Sequence, residues 1–160
     1  MQISLQTKNY FFIVNLNQSH IAQEIHSKIP FDSEILTWGD EFYFKTGINI
    51  SELKDKVTND VNIGDVAYWP EGNCICVFYG PTPFSKSSKP IPASPVVIIG
   101  NTYANPDELR RIHESESIRV MPLEENSAAK KNIPKYERKL TQQEIDILVQ
   151  ELLRIKSKKI

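Results

Sequence analysis

The chain has 160 residues and a formal net charge of −1, from 19 basic and 20 acidic side chains, which excludes the strongly basic composition of a typical nucleic-acid-binding domain. This length allows one domain of about 100–150 residues with an appendage. The sequence shows no disulfide framework, no N-terminal signal segment and no apolar run near the ~20 residues that span a bilayer, so we expect a soluble cytoplasmic protein with no membrane partner.

Over the first 45 residues, apolar and polar side chains alternate in short runs, which is typical of half-buried strands. The predicted elements, in chain order, are a hairpin of residues 3–5 and 10–16, a helix around Ile21 and Ile25, and a hairpin of residues 35–38 and 42–45. Asn17 or Ser19 can cap the helix, and Pro30 ends it.

Residues 63–83 form the most informative stretch, because glycines and prolines alternate there with aromatic and β-branched residues. This composition predicts a third hairpin, of residues 66–69 and 74–79, with a turn at residues 70–73. The prolines that follow, between positions 81 and 95, predict an exposed loop with extended pieces.

The rest of the first 121 residues predicts a buried strand at 95–100, a short helix, and a closing strand at 117–121. Asn105 and Pro106 provide the cap and the first residue of that helix. The total is about eight strands and two short helices, without β-α-β alternation. We therefore predict an all-β fold, a closed antiparallel β-barrel capped by two short helices, in which no edge strand is exposed.

Cysteine and histidine residues give no sign of a metal centre. Cys74 and Cys76 are two residues apart in a predicted strand, and we predict that they point to opposite faces and form neither a disulfide nor a shared metal site. At least one of them is expected to be a buried apolar residue. His20, His26 and His113 have no aspartate or cysteine partners at ligand spacing, so no metal and no cofactor is expected.

The chain changes character after the predicted barrel of residues 1–121, with a polar basic linker at 122–140 and an amphipathic helix at 141–158. Residues 1–129 carry 10 basic and 16 acidic side chains, a net charge of −6, whereas residues 130–160 carry 9 and 4, a net charge of +5. Because these basic charges are dispersed, they form a weak phosphate-binding footprint, and nucleic acid is not the expected partner.

The C-terminal helix begins with a capping box, Thr141 with Glu144, and continues with apolar residues at helical spacing. The residues of this apolar stripe are Ile145, Leu148, Val149, Leu152 and Ile155. The helix must bury its stripe on the body, on a second copy of the chain or on another protein. A homo-oligomer or a protein partner bound through the stripe is therefore one predicted function.

The body resembles a known family in three stretches: Trp38-Gly39-Asp40-Glu41-Phe42-Tyr43-Phe44, Gly64-Asp65 to Thr82-Pro83, and Pro92-Ala93-Ser94. These stretches are similar to those of small bacterial and archaeal proteins that adopt a cyclophilin-like barrel and mostly have no assigned function. The resemblance covers residues 1 to about 121 and implies an eight-stranded barrel capped by two helices. This sequence departs from the family at Glu71, where relatives often have a second proline, and in the additional segment from Pro122 onward.

The resemblance does not include the catalytic motif of active cyclophilins. Rotation about a peptide bond has a barrier of about 18–20 kcal/mol, and prolyl isomerases lower it with a donor aimed at the imide. In active cyclophilins that donor is an arginine in a Phe-His-Arg segment, supported by a Gln-Gly-Gly segment, and this sequence has neither. No catalytic residue is predicted. Arg119, the one arginine on a predicted body strand, is the candidate donor for a divergent isomerase.

Aromatic residues near turns are the best candidates for a binding groove, because they combine apolar surface with a polar atom. The predicted ligand-binding residues are Tyr43, Trp69, Phe84, Glu41 and Tyr79. Trp38, Phe44 and Phe78 are expected to fill the barrel instead. Asp65 is expected to organise the turn after Gly64.

We predict a non-catalytic module that binds a small ligand or an extended, proline-containing peptide in this groove. A divergent or weak peptidyl-prolyl isomerase is the first alternative, and a structural interaction protein that acts through its C-terminal helix is the second. A ligand-dependent change in Trp69 fluorescence would support the groove. A changed oligomeric state on deletion of residues 141–160 would support the helix.

Overall fold

The structure, a computed structural model, describes residues 1–50, 52–123 and 142–157. The chain divides into two compact units, Met1–Leu123 and Glu124–Ile160. In the described part, the strands of the first unit are β1 (Gln2–Gln6), β2 (Phe11–Leu16), β3 (Phe31–Glu34), β4 (Leu36–Thr37), β5 (Glu41–Lys45), β6 (Asp65–Trp69), β7 (Cys74–Phe78), β8 (Val97–Asn101) and β9 (Ser117–Pro122). The helices are α1 (His20–Ser27) and α2 (Pro106–Leu109) in the first unit, and α3 (Gln142–Ser157) in the second.

The strands of the first unit form one antiparallel sheet that curls into a nearly closed barrel, in the order β3-β9-β1-β2-β8-β6-β7-β5-β4. The barrel nearly closes where β3, one end strand of the sheet, meets β5, the strand next to the other end: Ser33 Oγ donates a hydrogen bond to the carbonyl of Lys45 at 2.6 Å. The predicted all-β barrel and its three hairpins, β1–β2, β4–β5 and β6–β7, are confirmed. Strand β3 was not predicted, because its sequence, Phe-Asp-Ser-Glu, is short and polar.

The caps of α1 and α2 follow from side chains near their first turns. Ser19, one of the two predicted caps of α1, accepts a hydrogen bond from the backbone N–H of Ala22 at 3.2 Å. Asp55 accepts the backbone N–H groups of His20 and Ile21 at 2.9 and 2.8 Å, which attaches the segment before β6 to this helix. Asn105 caps α2 with Pro106 in the first turn, as predicted.

Strands β5 to β7 bury side chains on both faces of the sheet. The inner face belongs to the main core of the barrel and carries Phe42, Phe44, Val66, Ile75 and Val77, each fully buried. The outer face carries a second cluster that also includes residues from the loops before β6 and β8. Its buried members are Val61, Ala67, Cys76, Phe78 and Val96.

Two predictions about these strands were wrong. Cys74 and Cys76 are both free and buried, but residues two apart on a strand share a face, so they do not point to opposite sides. Phe78 lies two residues further along the same strand and packs in the outer cluster, so it does not fill the barrel. Phe44 does lie in the barrel core, as predicted.

Helix α3 belongs to the second unit. It extends over nearly the residues predicted for it, and Ile145, Leu148, Val149 and Leu152 of the apolar stripe are exposed. The predicted cap Thr141, the side chain of Ile155 and the linker from residue 124 onward lie outside the described residues. In the described part of the chain, no helix is long and apolar enough to cross a membrane.

Candidate functional site

A cavity of about 230 Å³ lies on the outer face of β5, β6 and β7. Its lining combines aromatic side chains, one acidic group and part of the loop before β8. The lining residues are Trp38, Glu41, Tyr43, Trp69, Cys76, Pro92, Ala93, Ser94 and Val96. Pockets for drug-sized ligands measure roughly 300–1,000 Å³, so this cavity suits a smaller molecule or a single side chain.

Two aromatic pairs stand at the cavity. The rings of Tyr43 and Trp69 meet edge to face, with centroids 6.1 Å apart and planes at 89°. The indole N–H of Trp69 donates a hydrogen bond to Ser94 Oγ, which attaches the ring to the loop before β8. The same ring covers Gly72, where a Cβ atom would lie 2.4 Å from two of its carbons. Trp69 is therefore held from two sides.

The second aromatic pair depends on the turn between β4 and β5. Gly39 has a φ of +62°, and a Cβ there would lie 2.9 Å from the carbonyl oxygen of Pro81. The backbone N–H of Asp40 donates to that carbonyl at 2.9 Å. This close approach brings Trp38 beside Phe84, with ring centroids 5.0 Å apart and planes at 85°.

Glu41 is the acidic group of the cavity, and only 6 % of its surface is exposed. Burial raises its pKa to about 7, while a hydrogen bond from the Cys76 thiol acts in the opposite direction. Burial and the neighbouring Glu41 raise the pKa of Cys76, and they also raise the pKa of Tyr43. At neutral pH Glu41 is therefore divided between its protonated form, which can donate a hydrogen bond, and its ionised form, which can only accept one.

The structure brings three of the predicted site residues together and leaves two outside. Tyr43, Trp69 and Glu41 line the cavity. Phe84 is 57 % exposed and reaches the site only through its contact with Trp38. Tyr79 lies in the barrel core, 6.0 Å from the ring of Phe42, where burial raises its pKa to about 12.

Sequence reasoning missed several lining residues. Trp38 was expected to fill the barrel, but β4 ends at Thr37 and the following turn places the indole in the cavity wall. Cys76 could have been found from the register of the sheet, because it is directly opposite Tyr43 on the neighbouring strand. The loop residues 92–94 belong to a stretch used for the family resemblance, yet nothing in the sequence alone placed them over the outer face.

Arg119, the candidate isomerase donor, lies away from the cavity. Its side chain is on β9, where Nε and Nη2 donate to the two carboxylate oxygens of Asp32 at 2.8 and 3.0 Å. No arginine is among the residues that line the cavity. Among the residues that the structure describes, no guanidinium therefore lines the cavity where a bound X–Pro bond would need one.

Two smaller predictions concern turns and metals. Asp65 Oδ2 accepts the backbone N–H of Asn62 at 2.8 Å, which confirms its role in the turn around Gly64. Within residues 1–50, 52–123 and 142–157, the structure holds no cluster of three or more histidine, cysteine, aspartate or glutamate side chains arranged for a metal ion.

Comparison with known proteins agrees with the barrel architecture. The family model described as Cyclophilin-like matches residues 1–121. The chain belongs to the cyclophilin-like family. A similar solved structure is the solution structure of the hypothetical protein AF2241 from Archaeoglobus fulgidus, which is 30 % identical, with a TM-score of 0.66 over 77 % of this chain and 95 % of that one. No curated protein matches. The cyclophilin-like relationship therefore establishes the fold and a family of unassigned function.

Proposed function

We propose that this cyclophilin-like protein is a non-catalytic binding module. Its cavity takes a small ligand or one side chain of an extended peptide. The observation that carries the proposal is the enclosure of a buried acid, Glu41, among three aromatic side chains on the outer face of the barrel. Apolar walls with one or two polar groups that orient the ligand are the usual composition of small-molecule sites.

The arrangement of the walls also favours binding over a structural role. Trp38 and Trp69 are held by contacts outside the cavity, with Phe84 and with Ser94. Walls that are fixed before a ligand arrives reduce the entropy lost on binding. The outer face thus combines unfilled volume with pre-organised aromatic surface.

Prolyl isomerase activity is the alternative function of the same cavity, and it must be tested as well. A proline ring fits among aromatic side chains, but the reaction also needs a donor at the imide. Arg119 does not supply one, since it pairs with Asp32. We therefore expect peptides to bind without faster cis–trans exchange.

The test is an NMR titration of the full 160-residue chain with two kinds of ligand. These are short X–Pro peptides and uncharged small molecules below the size of a typical drug. Binding in the cavity predicts shifts at the Trp69 indole N–H, Trp38 and Tyr43, and unchanged exchange spectra of the peptides. Tyr43→Leu should weaken these shifts, whereas Tyr103→Leu, a matched change at an exposed tyrosine outside the cavity, should not. A titration in which no compound moves the cavity signals contradicts the proposal, and accelerated exchange would establish an isomerase.

We propose a second, independent function for helix α3, self-association with another copy of the chain. The observation is its apolar stripe, of which Ile145, Leu148 and Leu152 are exposed. Together with Ile155 in the sequence, these positions alternate steps of three and four residues. Light scattering should show an oligomer that the double variant Leu148→Glu, Leu152→Glu converts to a monomer. Gln150→Glu, a change on the same helix outside the stripe, should preserve the oligomer. A monomeric wild-type chain would contradict this second function.

A further inference from the structure

We propose that the cavity recognises an organic cation, an alkylammonium group, with Glu41 as its counter-ion and Trp38, Tyr43 and Trp69 as its walls. This inference rests on the proposed binding function and names the class of ligand. The group could belong to a free quaternary amine or to a lysine side chain of a peptide. Both present the same chemistry to the site.

The position of Glu41 is the first argument. Its side chain is on the outer face of β5 and almost completely buried, and the Cys76 thiol is the neighbouring group that acts to lower its pKa. Among the residues that the structure describes, no lysine or arginine forms an ion pair with it. A carboxylate has about four acceptor positions, so one thiol leaves most of them for a ligand. A buried carboxylate without a cation is a costly group that a cationic ligand would stabilise.

The groups that interact with Glu41 are acids as well. Cys76 and Cys74 lie on the neighbouring strand β7, Tyr43 is two residues further along β5, and Tyr79 lies just after β7. None of these side chains can supply a positive charge.

The charged side chains that act on these neighbours do not change this sign. Glu114 acts on Tyr43 and adds negative potential. Lys45 acts on Cys74 at the far end of β5, and Arg110 pairs with Asp40 at 3.1 Å; neither lies in the cavity lining. The site therefore presents a negative potential to a ligand.

The walls supply the second argument. Aromatic rings attract cations through their quadrupole, by about 0.5–1 kcal/mol at exposed sites and about 2 kcal/mol or more where water is excluded. Three of the nine lining residues are tyrosine or tryptophan, the ring types that bind cations best. A cavity of about 230 Å³ is also compact enough for one ammonium head group with its alkyl substituents.

The proposal predicts that ligand affinity depends on pH through the protonation of Glu41. A cation in the cavity favours the ionised form of Glu41, whose pKa in the free protein is raised to about 7 by burial. The ionised form of Glu41, which binds the cation, is the minor form below pH 7. The affinity for a permanently charged ligand should therefore be about tenfold lower at pH 6 than at pH 8. Binding at pH 7 should release protons.

The experiment compares choline with 3,3-dimethyl-1-butanol, which has the same shape but carries carbon in place of nitrogen. Calorimetry and NMR on the full chain at pH 8 should show that choline binds at least about tenfold more tightly than the neutral alcohol. This ratio corresponds to about 1.4 kcal/mol of binding free energy, which the alcohol loses because it has no charge to interact with Glu41 and the aromatic rings. A short peptide with one trimethyllysine forms the second arm. A peptide that binds much more tightly than choline identifies a lysine side chain as the source, and the reverse identifies a free amine.

Glu41→Gln should remove both the preference for choline and the pH dependence. Glu34→Gln removes the same charge from an exposed position outside the cavity and should keep both. The wild-type preference needs no variant, so the test does not depend on the folding of Glu41→Gln. Equal binding of choline and its neutral analogue, or binding of neutral fragments alone, overturns the cation proposal and leaves the binding module intact. If no compound moves the Trp69 signal, the binding function fails as well.

Discussion

The inner and outer faces of strands β5 to β7 arise from the same alternating sequence pattern but have different contents. The inner face is filled by side chains such as Phe42, Phe44 and Ile75, which are fully buried in the barrel core. The outer face carries Glu41 and Tyr43 on the same strand and encloses unfilled volume. An ionised carboxyl buried beside a cavity is costly to the fold, so the difference separates residues that hold the barrel together from the residues proposed to bind a ligand.

The largest expected effect is on the inner face. Phe44→Ala should lower the free energy of unfolding by about 3–5 kcal/mol, because a fully buried ring leaves a cavity in the core. Tyr43→Ala, at the adjacent position on the outer face, should cost clearly less, because Tyr43 is only partly buried and already borders a cavity. Urea denaturation of both variants measures the comparison. Equal losses would mean that the outer face is as important for folding as the core.

Glu41 should make the outer face sensitive to pH. Its pKa is raised from 4.5 to about 7 in the folded protein, so the folded state keeps a proton that the unfolded chain releases. This stabilising contribution is fully present below pH 4.5 and is lost as the pH rises through about 7. Its loss should amount to about 3 kcal/mol.

The measurement is the free energy of unfolding between pH 4.5 and 8 for the wild type and for Glu41→Gln. The variant lacks the titrating group, so its advantage over the wild type should grow with pH. Glu34→Gln, at an exposed position, should follow the wild-type curve. Parallel curves for all three proteins would show that Glu41 keeps an ordinary pKa.

The barrel could be predicted because most of its strands have a recognisable local sequence pattern. Alternation and turn residues indicate β1–β2, β4–β5 and β6–β7, and each of these hairpins is formed. Strand β3 shows the limit of that signal. Its sequence is polar, and it becomes a strand only through pairing with β9, in which Phe31 is opposite Val120 and Asp32 opposite Arg119.

The candidate site was partly predictable for the same reason. Tyr43 and Trp69 were chosen because each lies near a turn with a polar atom on its ring, and both line the cavity. Tyr79 has the same chemistry, but it follows the end of β7 and enters the barrel core. Trp38 and the loop residues 92–94 depend on how distant segments meet, which a single sequence does not specify.

The turn that places Trp38 gives a smaller test. Gly39→Ala should cost about 2–3 kcal/mol, because alanine is strained at a φ of +62° and its Cβ would approach backbone atoms of Pro81 and Thr82 at 2.9 Å. Gly47→Ala is a matched control. It has the same strain at a φ of +63° but nothing within 4 Å, so about 1 kcal/mol is expected.

The consequences for the cavity should differ as well. Relief of the close approach at Gly39 moves the turn away from the loop, so the Trp38 and Phe84 resonances should shift in NMR spectra of Gly39→Ala and remain unchanged in Gly47→Ala. Equal losses of stability in the two variants would mean that the backbone contacts at Gly39 relax without cost.

The smallest effect is expected where a polar contact, and not packing, attaches the loop to the outer face. Ser94→Ala leaves the indole N–H of Trp69 without its acceptor, at a cost of about 1 kcal/mol. Ser94→Thr keeps a hydroxyl and should restore the bond, while Ser88→Ala, on the same loop but outside the cavity lining, should change nothing. The Trp69 indole signal and the urea midpoint report the two effects separately. If Ser94→Ala shifts the indole signal and weakens ligand binding with this small loss of stability, the outer face is organised for binding by contacts on which the barrel scarcely depends. A loss comparable to that of Phe44→Ala would instead make Trp69 and the loop part of the core.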